Sequence, residues 1–114
     1  MDIYKEERPW GIFEQFVKNK ICTVKILTIN PGEKLSLQYH HHREEFWRVI
    51  EGRGIFIIGD KELTGTVGDE FSVKKKERHR IINTSTAPVR VLEIALGVFD
   101  EDDIVRLEDK YKRK

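Results

Sequence analysis

With one cysteine in 114 residues, the chain can form no internal disulfide. Nothing in its fold then depends on an oxidising compartment, and a reducing cytoplasm is the expected setting. That residue, Cys22, lies in the apolar alternation ICTVKILTI and reads as a core thiol. No apolar run is long enough to span a membrane, and no stretch reads as a signal peptide. Neither sign of charge dominates. Charged residues make up 36%, yet the formal net charge is +1 and the signs are interspersed, which excludes a nucleic-acid footprint. The basic end, Lys110 to Lys114, is short and reads as a solvated tail. Little Met, Cys, Gln and Asn beside abundant Lys and Glu resembles thermophile composition. The length fits a single domain, residues 1–114, large enough to bury a core.

Histidine is scarce too, and it is confined to two places. His40, His41 and His42 stand in GEKLSLQYHHHREEFWRVIEG, from Gly32 to Gly52; His79 stands in RHRIIN, from Arg78 to Asn83. A side chain that serves as neutral metal ligand or proton shuttle at neutral pH is thus limited to two segments. If they meet in space, the chain has one site. Side chains on a strand alternate faces. Gln38, His40 and His42 therefore share one face, and Leu37, Tyr39 and His41 the other. Glu45 follows after a short turn, so Gln38, His40 and Glu45 can converge from neighbouring strands. Imidazole, carboxylate and amide oxygen together suit zinc, manganese, iron or nickel.

The rest of the chain reads as short strands between turn signals. Alternation marks strands near Ile12–Phe16, Ile21–Ile29, Leu35–His42, Phe46–Ile50, Gly54–Ile58, Leu63–Val67, Glu70–Val73 and Arg80–Asn83. Val89–Phe99 is the longest alternation. Pro31-Gly32, Gly59-Asp60-Lys61 and Gly68-Asp69 supply turn chemistry. Only the end reads as helix: carboxylates at Asp100–Asp103, then Ile104, Leu107 and Tyr111 at helical spacing. About nine strands at this spacing predict an all-β sandwich or barrel with a short C-terminal helix.

Two patterns in this sequence resemble the cupin family. Gly32, Gln38-Tyr39-His40, Glu45 and Gly52 match its first motif, with Gln38 where a His is usual. Gly68, His79 and Asn83 match its second, with Lys74 and Lys76 where Pro and Gly are usual. Within that family, LSLQYHHHREEFW, RPWGIFE, HRIIN and GVFDEDDIVRLEDKY resemble type II phosphomannose isomerases, in order from Arg8 to Tyr111. The resemblance implies a cupin double-stranded β-helix, a jelly-roll barrel, with the metal inside on Gln38, His40, Glu45 and His79. The implied ion is zinc first, with manganese, iron, nickel or cobalt as alternatives. It implies interconversion of mannose 6-phosphate and fructose 6-phosphate, and a homodimer exchanging or adding Ile3–Phe16.

The HR-x-x-N motif of that family carries a catalytic Arg, which falls on Arg80. Alternation points its side chain away from His79. Lys34 is a second candidate catalytic group, the base that shuttles the proton stays open among Glu44, Lys34 and His42, and Ser36, His42 and Arg43 are candidates for the sugar phosphate. In the family this domain often follows a GDP-mannose pyrophosphorylase domain, for which 114 residues leave no room. That keeps open a metal- and sugar-binding module without turnover, acting with a separate nucleotidyltransferase. An iron-dependent oxygenase is less favoured, because such cupins commonly use three histidines and a glutamate and here Gln38 takes one ligand position.

A neutral Gln38 leaves Glu45 as the only ligand charge and the ion a stronger Lewis acid. Gln38→Glu is expected to keep metal and lose most isomerase activity, whereas His40→Ala and His79→Ala lose metal. His41→Ala is expected to change neither, as metal content and activity of the purified variants will show.

Overall fold

The computed structural model describes residues 1–111 and is all β: no helix occurs among the described residues. Its strands are β1 (Tyr4–Arg8), β2 (Gly11–Gln15), β3 (Cys22–Ile29), β4 (Leu37–Tyr39), β5 (Glu44–Glu51), β6 (Arg53–Ile58), β7 (Lys61–Thr66), β8 (Glu70–Val73), β9 (His79–Ile82), β10 (Val89–Leu96) and β11 (Val105–Glu108). Two sheets face one another, a four-stranded one in the order β3-β10-β5-β8 and a five-stranded one in the order β11-β4-β9-β6-β7. β1 and β2 form a separate hairpin.

Every expected strand exists, and two more were not anticipated. β1 is YKEER, a run of polar side chains without apolar alternation; it is a strand because β2 pairs with it along its whole length. β11 replaces the expected C-terminal helix. Asp100–Asp103 forms a turn, and Val105–Glu108 pairs antiparallel with β4. Sheet pairing outweighs helical spacing here, since fewer than twelve residues make a marginal helix without tertiary support. Of the basic tail, residues 112–114 lie outside the described residues.

Period-two burial builds the interior. On β5 Glu45, Trp47 and Val49 point inward; on β10 Val89, Val91, Glu93 and Ala95 do. Opposite them stand Phe56 and Ile58 of β6 and His79 and Ile81 of β9, which are register partners on one face. Trp47 and Phe56 are fully buried at the centre, and Phe56 stacks on Phe71 at 4.6 Å. The apolar cluster fills one end of the space between the sheets, from Ile29 and Val49 to Val73. Inward-facing polar side chains fill the other end. The hairpin lies against the outer face of the four-stranded sheet, where Phe16 packs on Phe46 and Glu14 pairs with Arg48. That contact explains why Phe46, on the outward parity of β5, is buried.

Gly52, between β5 and β6, has φ of 78°, and a Cβ there would run into the Pro88 carbonyl oxygen. Gly32 has the same φ but open space around it. Gly32→Ala therefore costs only the left-handed conformation, about 1 kcal/mol. Gly52→Ala adds a backbone collision and is expected to lose about 3 kcal/mol or more. Urea denaturation of the two variants measures the difference.

Candidate metal centre

β4, β5 and β9 bring the two histidine segments together. Gln38 and His79 are direct partners on adjacent strands, so they share the inward face. Glu45 leaves β5 toward them, and His40 follows β4 immediately. The ligand atoms of His40, Glu45 and His79 all lie within 4.8 Å of one another. His40 Nε2 is 3.6 Å from Glu45 Oε2, and His79 Nε2 is 3.5 Å from Glu45 Oε1. All three residues are buried, at 2%, 3% and 1% exposure.

The far nitrogen of each imidazole is fixed by the main chain. His40 Nδ1 lies 2.6 Å from the Asp103 carbonyl oxygen, and His79 Nδ1 lies 2.9 Å from the Glu77 carbonyl oxygen. Each Nδ1–H donates there, which leaves each Nε2 with a lone pair turned toward Glu45. Burial pushes His40 down to about 4, against the Asp103 carbonyl that favours its charged form and with help from the charge of Arg43. Burial likewise lowers His79. Both rings are neutral at pH 7, the state that binds metal. Glu45 Oε1 and His79 Nε2 are buried without a hydrogen-bond partner. Orphaned polar atoms in a protein interior are costly, and a divalent ion shared by this donor set resolves both. The residues fit such an ion.

Asp103 holds the segment that carries the ligands. Its carboxylate accepts from the amides of His41 (2.8 Å) and His42 (3.0 Å), while its carbonyl takes His40 Nδ1–H. One residue of the C-terminal loop thus fixes three consecutive histidines.

Beside the cluster, and reached through Gln38, Arg43 and Trp47, lies an inner cavity of about 570 Å³, a size typical of small-molecule sites. Gln38, Arg43, Trp47, Glu93, Phe99 and Arg106 are in its wall. Across the four-stranded sheet, Lys25, Glu93, Trp47 and Phe71 stand in one row of register partners. Trp47 Nε1–H donates to Glu93 Oε1 at 3.4 Å, and the indole meets the His79 ring edge-on at 5.5 Å. Burial raises Glu93 to about 7, with the neighbouring Glu45 carboxylate adding to the rise. Arg43 is buried; its Nε donates to Glu45 Oε2 at 3.2 Å and its Nη2 to His40 Nε2 at 3.2 Å.

Other expected site residues lie elsewhere. Arg80 leaves the five-stranded sheet on the face opposite His79, as alternation required. Its Nε donates to the Leu35 carbonyl oxygen, and with Lys34 it lines a separate cavity of about 670 Å³ beside Gly32, Ile82 and Glu108. Neither Arg80 nor Lys34 is in the wall of the inner cavity. Ser36 is buried and its hydroxyl donates to Gln38 Oε1 at 2.7 Å, so it touches a candidate ligand and not the open cavity. His42 is exposed beside His41, because β4 ends at Tyr39 and the alternation does not continue through the bend.

Glu93, Lys25 and Phe99 went unnoticed in the sequence. The signal for the first two was there: the one charge on the inward parity of its strand, VRVLEIAL for Glu93 and CTVKILTI for Lys25.

Comparison with known proteins gives the same picture. The family model described as mannose-6-phosphate isomerase C-terminal matches residues 2–109. The xanthan biosynthesis protein XanB of Xanthomonas campestris is 38% identical over 110 residues, 96% of this chain and 24% of that protein. The alginate biosynthesis protein AlgA of Pseudomonas aeruginosa is 37% identical over 107 residues, 93% and 22%. A mannose-1-phosphate guanylyltransferase of Escherichia coli is 36% identical over 108 residues, 93% and 22%. The chain spans about a quarter of the length of these relatives. Among solved structures, a cupin-superfamily sugar phosphate isomerase from Silicibacter pomeroyi superposes with a TM-score of 0.64 at 21% identity, covering 77% of this chain and 68% of that one. A double-stranded β-helix protein from Klebsiella pneumoniae superposes at 0.68 with 19% identity, covering 81% and 78%. At those identities the likeness establishes the fold, a cupin double-stranded β-helix.

Asp103→Ala removes the carboxylate clamp but keeps every candidate ligand. It is expected to weaken zinc or manganese binding by about 10- to 100-fold, measured by competition with a chromophoric chelator.

Proposed function

Since the chain belongs to the mannose-6-phosphate isomerase C-terminal family, we propose that it interconverts mannose 6-phosphate and fructose 6-phosphate in the inner cavity. The observation that carries this reading is a buried His40–Glu45–His79 set next to a cavity whose wall holds Gln38, Arg43 and a second buried carboxylate, Glu93. Gln38, opposite His79, completes the ligand set through its amide oxygen, and zinc is the first candidate ion, ahead of manganese, iron, nickel and cobalt. Such an ion supplies Lewis acidity to the oxygens on C1 and C2 of the open-chain sugar.

The chain's own groups do the rest. The reaction moves one proton between C2 and C1, which needs a group that takes it up and returns it. Of the cavity carboxylates outside the ligand set, Glu101 and Asp102 are exposed and Glu93 is buried, fixed by Trp47 and faced by Lys25 across the sheet. We assign Glu93 that role. Arg43, Lys25 and Arg106 put positive charge in the same wall, suited to a phosphate dianion. Trp47, Leu27 and Leu35 supply its apolar part and exclude water.

A second reading has a specific support. The relatives are about four times longer, and one is named mannose-1-phosphate guanylyltransferase. A metal- and sugar-binding module serving a nucleotidyltransferase fits that size relation. It would bind sugar phosphate without turning it over.

An assay of the purified chain with each divalent metal separates the two. Isomerisation that a chelator abolishes is the expected result; no interconversion with any metal would sink the isomerase reading. Glu93→Gln is expected to lower kcat by about 10²- to 10⁴-fold while metal content stays at the wild-type level.

A further inference from the structure

Arg43 occupies an unusual place for a substrate-binding arginine. Its Nε and Nη2 donate to Glu45 Oε2 and His40 Nε2, two of the atoms that converge in the metal-binding set. His40 Nδ1 is taken by the Asp103 carbonyl, so a bound ion takes the Nε2 lone pair that Arg43 uses, at about 2.0–2.1 Å. A guanidinium 3.2 Å from that nitrogen cannot keep this hydrogen bond beside the ion, and two cations against one buried carboxylate repel each other strongly. We propose that Arg43 couples the metal to the substrate phosphate: guanidinium and ion compete for Glu45 and His40, and the displaced guanidinium becomes an anion-binding group.

The place it moves to is already marked. Arg43 Cζ lies 4.3 Å from the centre of the Phe99 ring, and Nη1 reaches the Asp100 carbonyl oxygen at 3.4 Å. Lys25 Nζ lies 4.1 Å from the centre of the same ring. Phe99 thus holds both cations by cation–π contact, next to the inner cavity whose wall includes all three. A small rotation of the Arg43 side chain away from Glu45 keeps the Phe99 contact and turns the guanidinium into the cavity. There it has lost its carboxylate partner. A buried cation without a counter-charge is unfavourable, and a phosphate monoester beside Lys25 restores the balance. This second half rests on the sugar-phosphate reading of the cavity; the competition itself does not.

Linkage makes the idea measurable, since an anion that draws Arg43 away must tighten metal binding by the factor by which metal tightens anion binding. The test is calorimetric titration of zinc or manganese into the intact chain and into Arg43→Met, each with and without methyl phosphate. Without anion, Arg43→Met is expected to bind the ion about tenfold tighter than the wild type. Methyl phosphate is expected to tighten ion binding to the wild type by about fivefold or more and to leave the variant unchanged. Equal or weaker ion binding by the variant overturns the competition. Equal tightening of both proteins overturns the coupling through Arg43. If Arg43→Met does not fold, Arg43→Gln serves, and absence of any methyl phosphate effect on the wild type overturns the coupling alone. Cooperative ion and methyl phosphate binding without turnover of mannose 6-phosphate leaves this inference standing and removes the isomerase reading.

Discussion

A carboxylate inside a protein must be compensated, and Glu45 is 3% exposed. The polar end of the interior is arranged around that requirement. Two neutral imidazoles turn Nε2 toward it, Arg43 donates to it, and Glu93 beside it is pushed toward the neutral form. Lys25 then faces Glu93 from the next strand. Each group is tolerable in the interior because of its neighbour, so the set stands or falls together. The apolar end of the same space, centred on Trp47 and Phe56, needs no such bookkeeping and provides the rigid wall against which the polar set is aligned.

Most of this fold was legible because strand alternation reports which face is buried. β3, β5, β6 and β10 carry the alternation plainly, and β-turn glycines separate them. β1 was not legible, because YKEER has no apolar face and exists as a strand only through pairing. β11 was misread because Ile104, Leu107 and Tyr111 satisfy a helical period, while the free edge of β4 offered backbone partners that helical spacing does not reveal. Local pattern failed wherever the deciding hydrogen bonds came from far along the chain.

The site divides in the same way. Strand alternation grouped Gln38, His40 and Glu45, and the cupin resemblance added His79; the structure gathers His40, Glu45 and His79 and pairs Gln38 with His79 on the next strand. His42 was misplaced by extending a strand three residues past its end. Arg80 shows the opposite case: simple parity placed it on the outer face, and the structure places it there, in a cavity with Lys34 and away from the ligand cluster. Glu93 and Lys25 show that a lone charge on a buried parity is a better pointer to a site than a charge in a loop, because burial must be compensated and solvent exposure need not be.

The hydrogen bond from His40 to the Asp103 carbonyl spans 63 residues of sequence. Its partner ring, His79, comes from between them, and Glu93 from farther still along the chain. Closing so long a loop costs conformational entropy before any contact offsets it. His40 and Glu45 are neighbours in sequence, but His79 joins them only when both sheets are assembled. An ion held by all three would have to arrive after both sheets had closed, and its capture would report a finished barrel.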